Sequence, residues 1–137
     1  MEGLIKITPD KERAKSIVKM AETTLEIVRS IDSSQFSSHV TKEYYDVIRE
    51  FMTATLLLDG YKTYGEGAHK KLIEYFQYYG KGLTEYEISI IDSLRITRNK
   101  IEYDGFFVEK GYLERKIKYI HEIIAKLRKI IDKGIES

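Results

Sequence analysis

Apolar residues recur three and four positions apart along most of the chain, and this spacing constrains the fold more than any other feature. The C-terminal segment shows it most clearly, where the spacing predicts a helix over 111–133 with the stripe Leu113, Ile117, Ile120, Ile124, Leu127 and Ile131. Residues at this spacing lie on one face of an α-helix, which can be buried against neighbouring helices. No segment alternates steadily between apolar and polar residues, so we expect no β-sheet.

Capping residues indicate where the first two predicted helices begin. The first is expected to begin at Thr8-Pro9-Asp10, with the Thr8 side chain as the cap and Pro9 in the first helical position. The polar, serine-rich segment 30–38 is a predicted loop. Ser37 or Ser38, at its end, is expected to cap the second helix.

Glycines and one capping box bound the later helices. Gly60 is expected to end the second helix, because glycine readily adopts the left-handed conformation found at helix ends, or the helix continues a little past it. Thr84 and Glu87 form a capping-box pattern at the start of the fourth helix, which Gly105 is expected to end. Between them a short third helix is predicted over 68–79, with the inward-facing residues Leu72, Ile73, Phe76 and Tyr79.

The length and organisation of the chain favour one domain. Its 137 residues contain no internal repeat and no linker long enough to divide them. We therefore predict a single all-α domain over 1–137, an up-and-down four-helix bundle with a short extra helix.

Composition excludes several classes of protein. The chain has no cysteine, which excludes disulfides and thiolate metal sites, and its net charge of +1 gives no strong overall attraction to nucleic acid. The apolar run Phe51–Leu58 is too short to span a bilayer, and the N-terminus does not resemble a leader peptide, so we expect a cytoplasmic protein without membrane contact. Asparagine and glutamine are scarce while lysine, glutamate and isoleucine are abundant, a pattern typical of proteins from hot environments.

The three histidines do not form a metal-binding pattern. His39, His69 and His121 lie on three different predicted helices, without the three- or four-residue spacing of a metal motif. We expect no metal and no cofactor. His69 is expected to bond a backbone carbonyl or to lie at the surface.

One arginine lies where the helical pattern predicts burial. Arg98 falls on the apolar stripe of the fourth helix, between Leu94 and Ile101. An unpaired buried charge costs several kcal/mol, so Arg98 must contact a carboxylate, backbone carbonyls, a subunit cleft or an anionic ligand. The available carboxylates are Glu102, one turn further on, or those of the second helix: Glu43, Asp46 and Glu50.

Asn99, the only asparagine in the chain, directly follows that arginine. On a helix it aligns with Arg95 and Tyr103 on a face adjacent to the apolar stripe. Its side chain either bonds the backbone near the helix end or contributes with these neighbours to a site.

The segment around Arg98 resembles the motif of the HEPN domains (higher eukaryotes and prokaryotes nucleotide-binding), which are helical bundles. In that family an arginine, a polar residue and, after a few residues, a histidine lie near the end of a late helix. Arg98 and Asn99 match the first two, and Tyr103 occupies the position of the histidine. Further similarity extends over 11–131 and includes the segments Glu43-Tyr44-Tyr45, 56–61 and 69–76.

The resemblance implies a homodimer in which the motif helices of two subunits form a cleft. Many such domains are metal-independent endoribonucleases that act as toxins, some of them paired with a small nucleotidyltransferase, whereas others only bind nucleotides or RNA. Tyrosine is a poor base near neutral pH, so its presence at position 103 favours binding over cleavage. We therefore expect a site that binds RNA or a nucleotide and has little or no nuclease activity. It would consist of Arg98, Asn99 and Tyr103, with Arg95 beside them.

The same residues are compatible with two other functions. In the first, the protein is an active ribonuclease in which Tyr103 acts in place of the histidine and Arg98 stabilises the charged transition state. In the second, it is a non-catalytic interaction module, for example with a nucleotidyltransferase, and Arg98 only forms a buried ion pair.

Overall fold

A computed structural model describes residues 1–137 and shows five helices with one small sheet. The helices are α1 (Lys11–Arg29), α2 (Ser37–Asp59), α3 (Ala68–Tyr78), α4 (Glu85–Asp104) and α5 (Lys110–Glu136), and the strands are β1 (Leu4–Lys6) and β2 (Tyr61–Thr63). The predicted all-α class, with four long helices and one short one, is confirmed. No helix combines the length and the apolar character that crossing a bilayer requires.

Helix α2 lies at the centre of the fold. It packs against α1, α4 and α5 and supplies the largest share of the buried residues, including Tyr45, Ile48, Phe51 and Met52. Burying each large apolar side chain contributes roughly 1.5–3 kcal/mol, so this helix anchors the core. The predicted stripe of α5 is buried along most of its length, from Leu113 to Ile131.

The predicted ends of α2 and α4 are confirmed. Gly60 and Gly105 follow the two helices with left-handed backbone, at φ angles of 85° and 63°. Thr84 accepts a hydrogen bond from the backbone N–H of Glu87, and the Glu87 carboxylate accepts one from the backbone N–H of Thr84, which completes the capping box.

The expectation that the chain forms no sheet is wrong in one place. Strands β1 and β2 pair antiparallel, with Leu4 opposite Thr63 and Lys6 opposite Tyr61. The Ile7 N–H continues the pairing by donating to the Gly60 carbonyl at 2.9 Å. Each strand has only three residues, too few for a periodic pattern to be visible in the sequence.

Two predicted caps are also wrong. Helix α1 is capped by Asp10, whose carboxylate accepts from the Arg13 N–H at 3.0 Å, and not by Thr8. Helix α2 has no side-chain cap, because it begins at Ser37 and the capping position is held by Phe36, so neither Ser37 nor Ser38 caps it. The Ser38 hydroxyl instead accepts a hydrogen bond from the Val108 N–H. Ser38 thus ties the start of α2 to the segment before α5.

The inward face of α3 differs from its prediction at one residue. Leu72, Ile73 and Phe76 are buried as expected, but Tyr79 lies just beyond the helix and is exposed. Tyr75 is buried in its place, and its hydroxyl donates to Asp59 at 2.6 Å.

Candidate anion-binding site

Arg98 contacts a carboxylate of the neighbouring helix. Its Nε lies 3.4 Å from Oδ1 of Asp46 on α2, and the side chains of the two residues are only 14% and 16% exposed. Nε of Arg49 lies 3.7 Å from the same oxygen. None of these three atoms forms a hydrogen bond within the protein. One carboxylate is therefore shared loosely between two guanidinium groups.

This contact decides between the carboxylates that the sequence left open. Glu102 does not pair with Arg98 but accepts from Lys42 of α2 at 2.8 Å, and that hydrogen bond lowers the pKa of Glu102. The carboxylate of Asp46 is the one that meets Arg98.

The adjacent face of α4 forms the wall of a cavity. Arg95, Asn99 and Tyr103, one helical turn apart, line a space of about 270 Å³. Residues 67–70, where α3 begins, form the opposite wall. The structure thus brings three of the four predicted site residues to one cavity, while Arg98 lies on a different face of α4, against Asp46.

Arg95 is held in place by its own helix. Its Nε donates to Oδ1 of Asp92 at 2.9 Å, and its side chain is largely buried. This bond leaves the two terminal nitrogens of the guanidinium group without a protein partner. Terminal guanidinium nitrogens match the oxygens of a phosphate group.

His69 is a cavity residue that the sequence did not associate with the motif. It lies at the start of α3, is partly buried, and its ring centroid is 6.4 Å from that of Tyr45. His39 and His121, by contrast, are exposed. No spacing signal links His69 to the motif, because it lies on a separate helix and reaches the cavity of Arg95, Asn99 and Tyr103 only through the packing of α3 on α4.

The surroundings of His69 disfavour its charged form. Burial lowers the pKa of His69, and the positive charges of Arg49, Arg98 and Arg95 lower it further, while Asp46 acts in the opposite sense. Burial also raises the pKa of Tyr45 to about 12. His69 is therefore neutral at pH 7 and can accept a proton.

The charges around the cavity favour an anion. Three arginines act on His69, and Asp46 together with the Asp92 partner of Arg95 compensates two of them, which leaves a local net charge of +1. Lys70 adds an exposed cation at the cavity wall, and no acidic residue lines it. A cavity lined by cations and neutral donors attracts negatively charged ligands.

The chain brings no three metal-ligating side chains together. The largest cavity, about 570 Å³, lies elsewhere, between the ends of α2 and α5. Its Lys81 is already paired with Asp59 at 2.9 Å. The larger cavity is lined by Lys81, Lys133 and the carboxylate of Asp59, whereas the smaller cavity at Asn99 has cations and no carboxylate on its walls, which favours an anion there.

Neither the known protein-family models nor the curated proteins give a match to this chain. Its function is therefore argued from the geometry and the charges of the site.

Proposed function

We propose that this chain is a HEPN-like helical domain that binds RNA or a nucleotide through Arg98, Asn99 and Tyr103, with Arg95, and that it has little or no nuclease activity. One observation carries the proposal: Arg95, Asn99 and Tyr103 line one cavity whose surroundings are positively charged. The resemblance of the motif segment to HEPN domains agrees with this role.

Each residue has a distinct part in binding. Arg95 offers its free terminal nitrogens to phosphate oxygens, and the Asn99 amide can donate to a phosphate or accept from a ribose hydroxyl. The Tyr103 side chain is 76% exposed at the cavity rim, where its ring can stack on a base. Arg98 supplies positive charge from behind the cavity and, through Asp46, fixes α4 against α2.

Exposed apolar residues near the motif support a homodimer. Phe106 and Phe107 lie just beyond the end of α4, and Phe107 is 77% exposed. Such residues are more typical of interfaces than of free surfaces. We propose that two copies meet here in the cytoplasm. Sedimentation equilibrium should then give twice the 16.0 kDa mass of the chain, and Phe107→Ser should return it to the monomer mass.

RNA binding is tested by fluorescence anisotropy with a labelled single-stranded RNA of 12 nucleotides. Arg95→Gln and Asn99→Ala should each weaken binding about tenfold, the effect of losing one charge-assisted contact. Arg115→Gln on α5, an exposed arginine paired only with Glu109, is the matched control and should bind normally. Unchanged affinity in folded Arg95→Gln, Asn99→Ala and Arg98→Ala would contradict the proposal.

A second candidate function, an active metal-independent ribonuclease, is favoured by the position of His69. In this reaction the ribose 2′-oxygen attacks the adjacent phosphorus while its proton passes to neutral His69. The P–O5′ bond breaks, leaving a 2′,3′-cyclic phosphate, the 5′-oxygen takes a proton from water, and protonated His69 returns its proton to the resulting hydroxide. Arg98 would stabilise the charge, and His69 rather than Tyr103 would accept the proton. Formation of that cyclic end in EDTA, abolished by His69→Gln and retained by Tyr103→Phe, would establish this candidate.

A third candidate is a non-catalytic interaction module that partners a minimal nucleotidyltransferase. The Arg98–Asp46 ion pair favours it, because the pair gives the buried arginine a purely structural partner. In that case Arg95→Gln and Asn99→Ala would leave the affinity for RNA and nucleotides unchanged.

A further inference from the structure

We propose that the cavity between α3 and α4 takes a terminal phosphate group, that is, a phosphate monoester, and that His69 binds a proton together with it. This inference rests on the proposed function, because it names the part of an RNA or a nucleotide that the cavity recognises. His69 would then select the ligand, a role that the α4 residues Arg98, Asn99 and Tyr103 do not have.

The local charge matches a doubly charged ligand. The three guanidinium groups near His69 are compensated by two carboxylates, Asp46 and the Asp92 partner of Arg95, so their net charge is +1, and a proton on His69 raises it to +2. A phosphate monoester carries nearly two negative charges at pH 7, whereas an internal phosphodiester carries one. A monoester therefore balances the cluster with protonated His69, and a diester leaves it half compensated.

The size and lining of the cavity also favour a terminal phosphate over an internal phosphate of an RNA. Its volume of about 270 Å³ lies just below the usual range for small-molecule pockets, roughly 300–1,000 Å³. The donors on its walls come from both helices: His69 and Lys70 on α3, Arg95 and Asn99 on α4. A terminal phosphate exposes three oxygens to such donors, and an internal one exposes only two.

His69 is the proton-exchanging group of this cluster. The groups that face it are Tyr45, Asp46 and Arg49 from α2 and Arg95 and Arg98 from α4, with Lys70 and Tyr103 at the cavity rim. Histidine alone among these residue types ordinarily changes its charge between pH 5 and 8.

Binding of the dianion should therefore be coupled to proton uptake. In the ligand-free protein, burial and the arginines keep the pKa of His69 low and its ring neutral. A phosphate dianion beside the ring reverses this effect and raises the pKa, so that protonated His69 donates to the phosphate. Affinity for the monoester should fall as the pH rises from 6.5 to 8.0.

The test is isothermal titration calorimetry of the full chain at pH 7.5. The ligands are a 5′-phosphorylated RNA of six nucleotides, the same RNA with a 5′-hydroxyl, adenosine monophosphate and adenosine. Repeating each titration in two buffers of different ionisation enthalpy measures the protons taken up. His69→Gln is compared with His39→Gln, which changes an exposed histidine of α2.

The 5′-phosphorylated RNA should bind about tenfold more tightly than its hydroxyl form, with net proton uptake. His69→Gln should lose the uptake, and His39→Gln should keep it. Binding of adenosine monophosphate as tight as that of the RNA would identify a free nucleotide as the ligand, and weaker binding would identify an RNA end.

Equal binding of the phosphorylated and hydroxyl forms would overturn this inference and leave the proposed function standing. Phosphate-dependent binding without proton uptake by the unmodified protein would also overturn it, whatever the stability of the variant. Failure of every ligand to bind would refute the proposed function itself.

Discussion

Nε of Arg98 lies 3.4 Å from Oδ1 of Asp46, which joins α4 to α2 through an almost buried ion pair. Arg49 approaches the same oxygen, so the single carboxylate compensates two guanidinium groups. This arrangement satisfies the need for a partner of the buried arginine and still leaves positive charge around the cavity. The ion pair and the anion site are therefore compatible.

Asp46→Asn should lower the free energy of unfolding by about 2 kcal/mol, because it leaves two largely buried arginines without their shared counter-charge. Urea denaturation at pH 7 measures the change. Glu12→Gln removes the carboxylate of an exposed pair with Lys15 and should change the stability by less than about 0.5 kcal/mol. Equal effects of the two substitutions would show that the buried pair contributes no more than a surface one.

The ionised form of Glu87 stabilises the fold, so the free energy of unfolding should fall at acid pH. Burial alone raises the pKa of this 5% exposed carboxyl, but the hydrogen bonds from Lys126 and the Thr84 N–H outweigh burial and hold the pKa below its ordinary value of 4.5. Because the pKa is depressed in the folded state, the stabilisation is present above pH 4.5 and is lost as the pH falls through the folded-state pKa. Glu87→Gln should therefore destabilise the protein by about 1 kcal/mol at pH 7, and the effect should shrink as the pH falls below 4.5.

Urea titrations of the unmodified protein and Glu87→Gln at several pH values between 3 and 7 would measure this difference. Thr84→Ala is the control, since it removes the hydroxyl cap at every pH and should cost about 1 kcal/mol throughout. If the effect of Glu87→Gln were independent of pH, the pKa of Glu87 would not be lowered in the folded protein.

Gly60 and Gly105 end their helices with similar backbone but different surroundings. A Cβ at Gly60 would lie 3.0 Å from the Ile7 carbonyl oxygen, whereas a Cβ at Gly105 would meet nothing within 4 Å. Gly105→Ala should cost about 1 kcal/mol, the strain of left-handed backbone alone. Gly60→Ala should cost at least about 2 kcal/mol, since it adds crowding at the end of the sheet. Thermal unfolding would measure both, and equal costs would contradict the close approach of Gly60 to Ile7.

Local sequence signals predicted the helices well. The α5 stripe, the Thr84 capping box and the glycines at 60 and 105 act within one or two helical turns, so spacing alone reveals them. The β1–β2 pairing could not be predicted in this way, because its partners are far apart in the sequence and each strand is three residues long. The predicted cap at Ser37 or Ser38 was wrong because α2 begins earlier than expected, directly after Phe36, and the bond from the distant Val108 N–H to Ser38 leaves no local signal.

In the candidate site, too, features set by local helical spacing were predictable, and features set by packing between helices were not. The alignment of Arg95, Asn99 and Tyr103 follows from helical geometry and was predicted. Asp46 was one of four carboxylates named for Arg98, and only the packing of α2 on α4 selects it. The place of His69 depends on how α3 packs against α2 and α4, which no spacing in the sequence encodes.

The most direct test of the account is to locate the bound ligand by nuclear magnetic resonance. Isotope-labelled protein would be titrated with adenosine monophosphate and with 5′-phosphorylated RNA while the amide and histidine ring signals are followed. We expect saturable shifts at residues 67–70 and 95–103, including the His69 ring. Saturable shifts confined to the larger cavity around Lys81 and Lys133, or no shifts with either ligand, would contradict it.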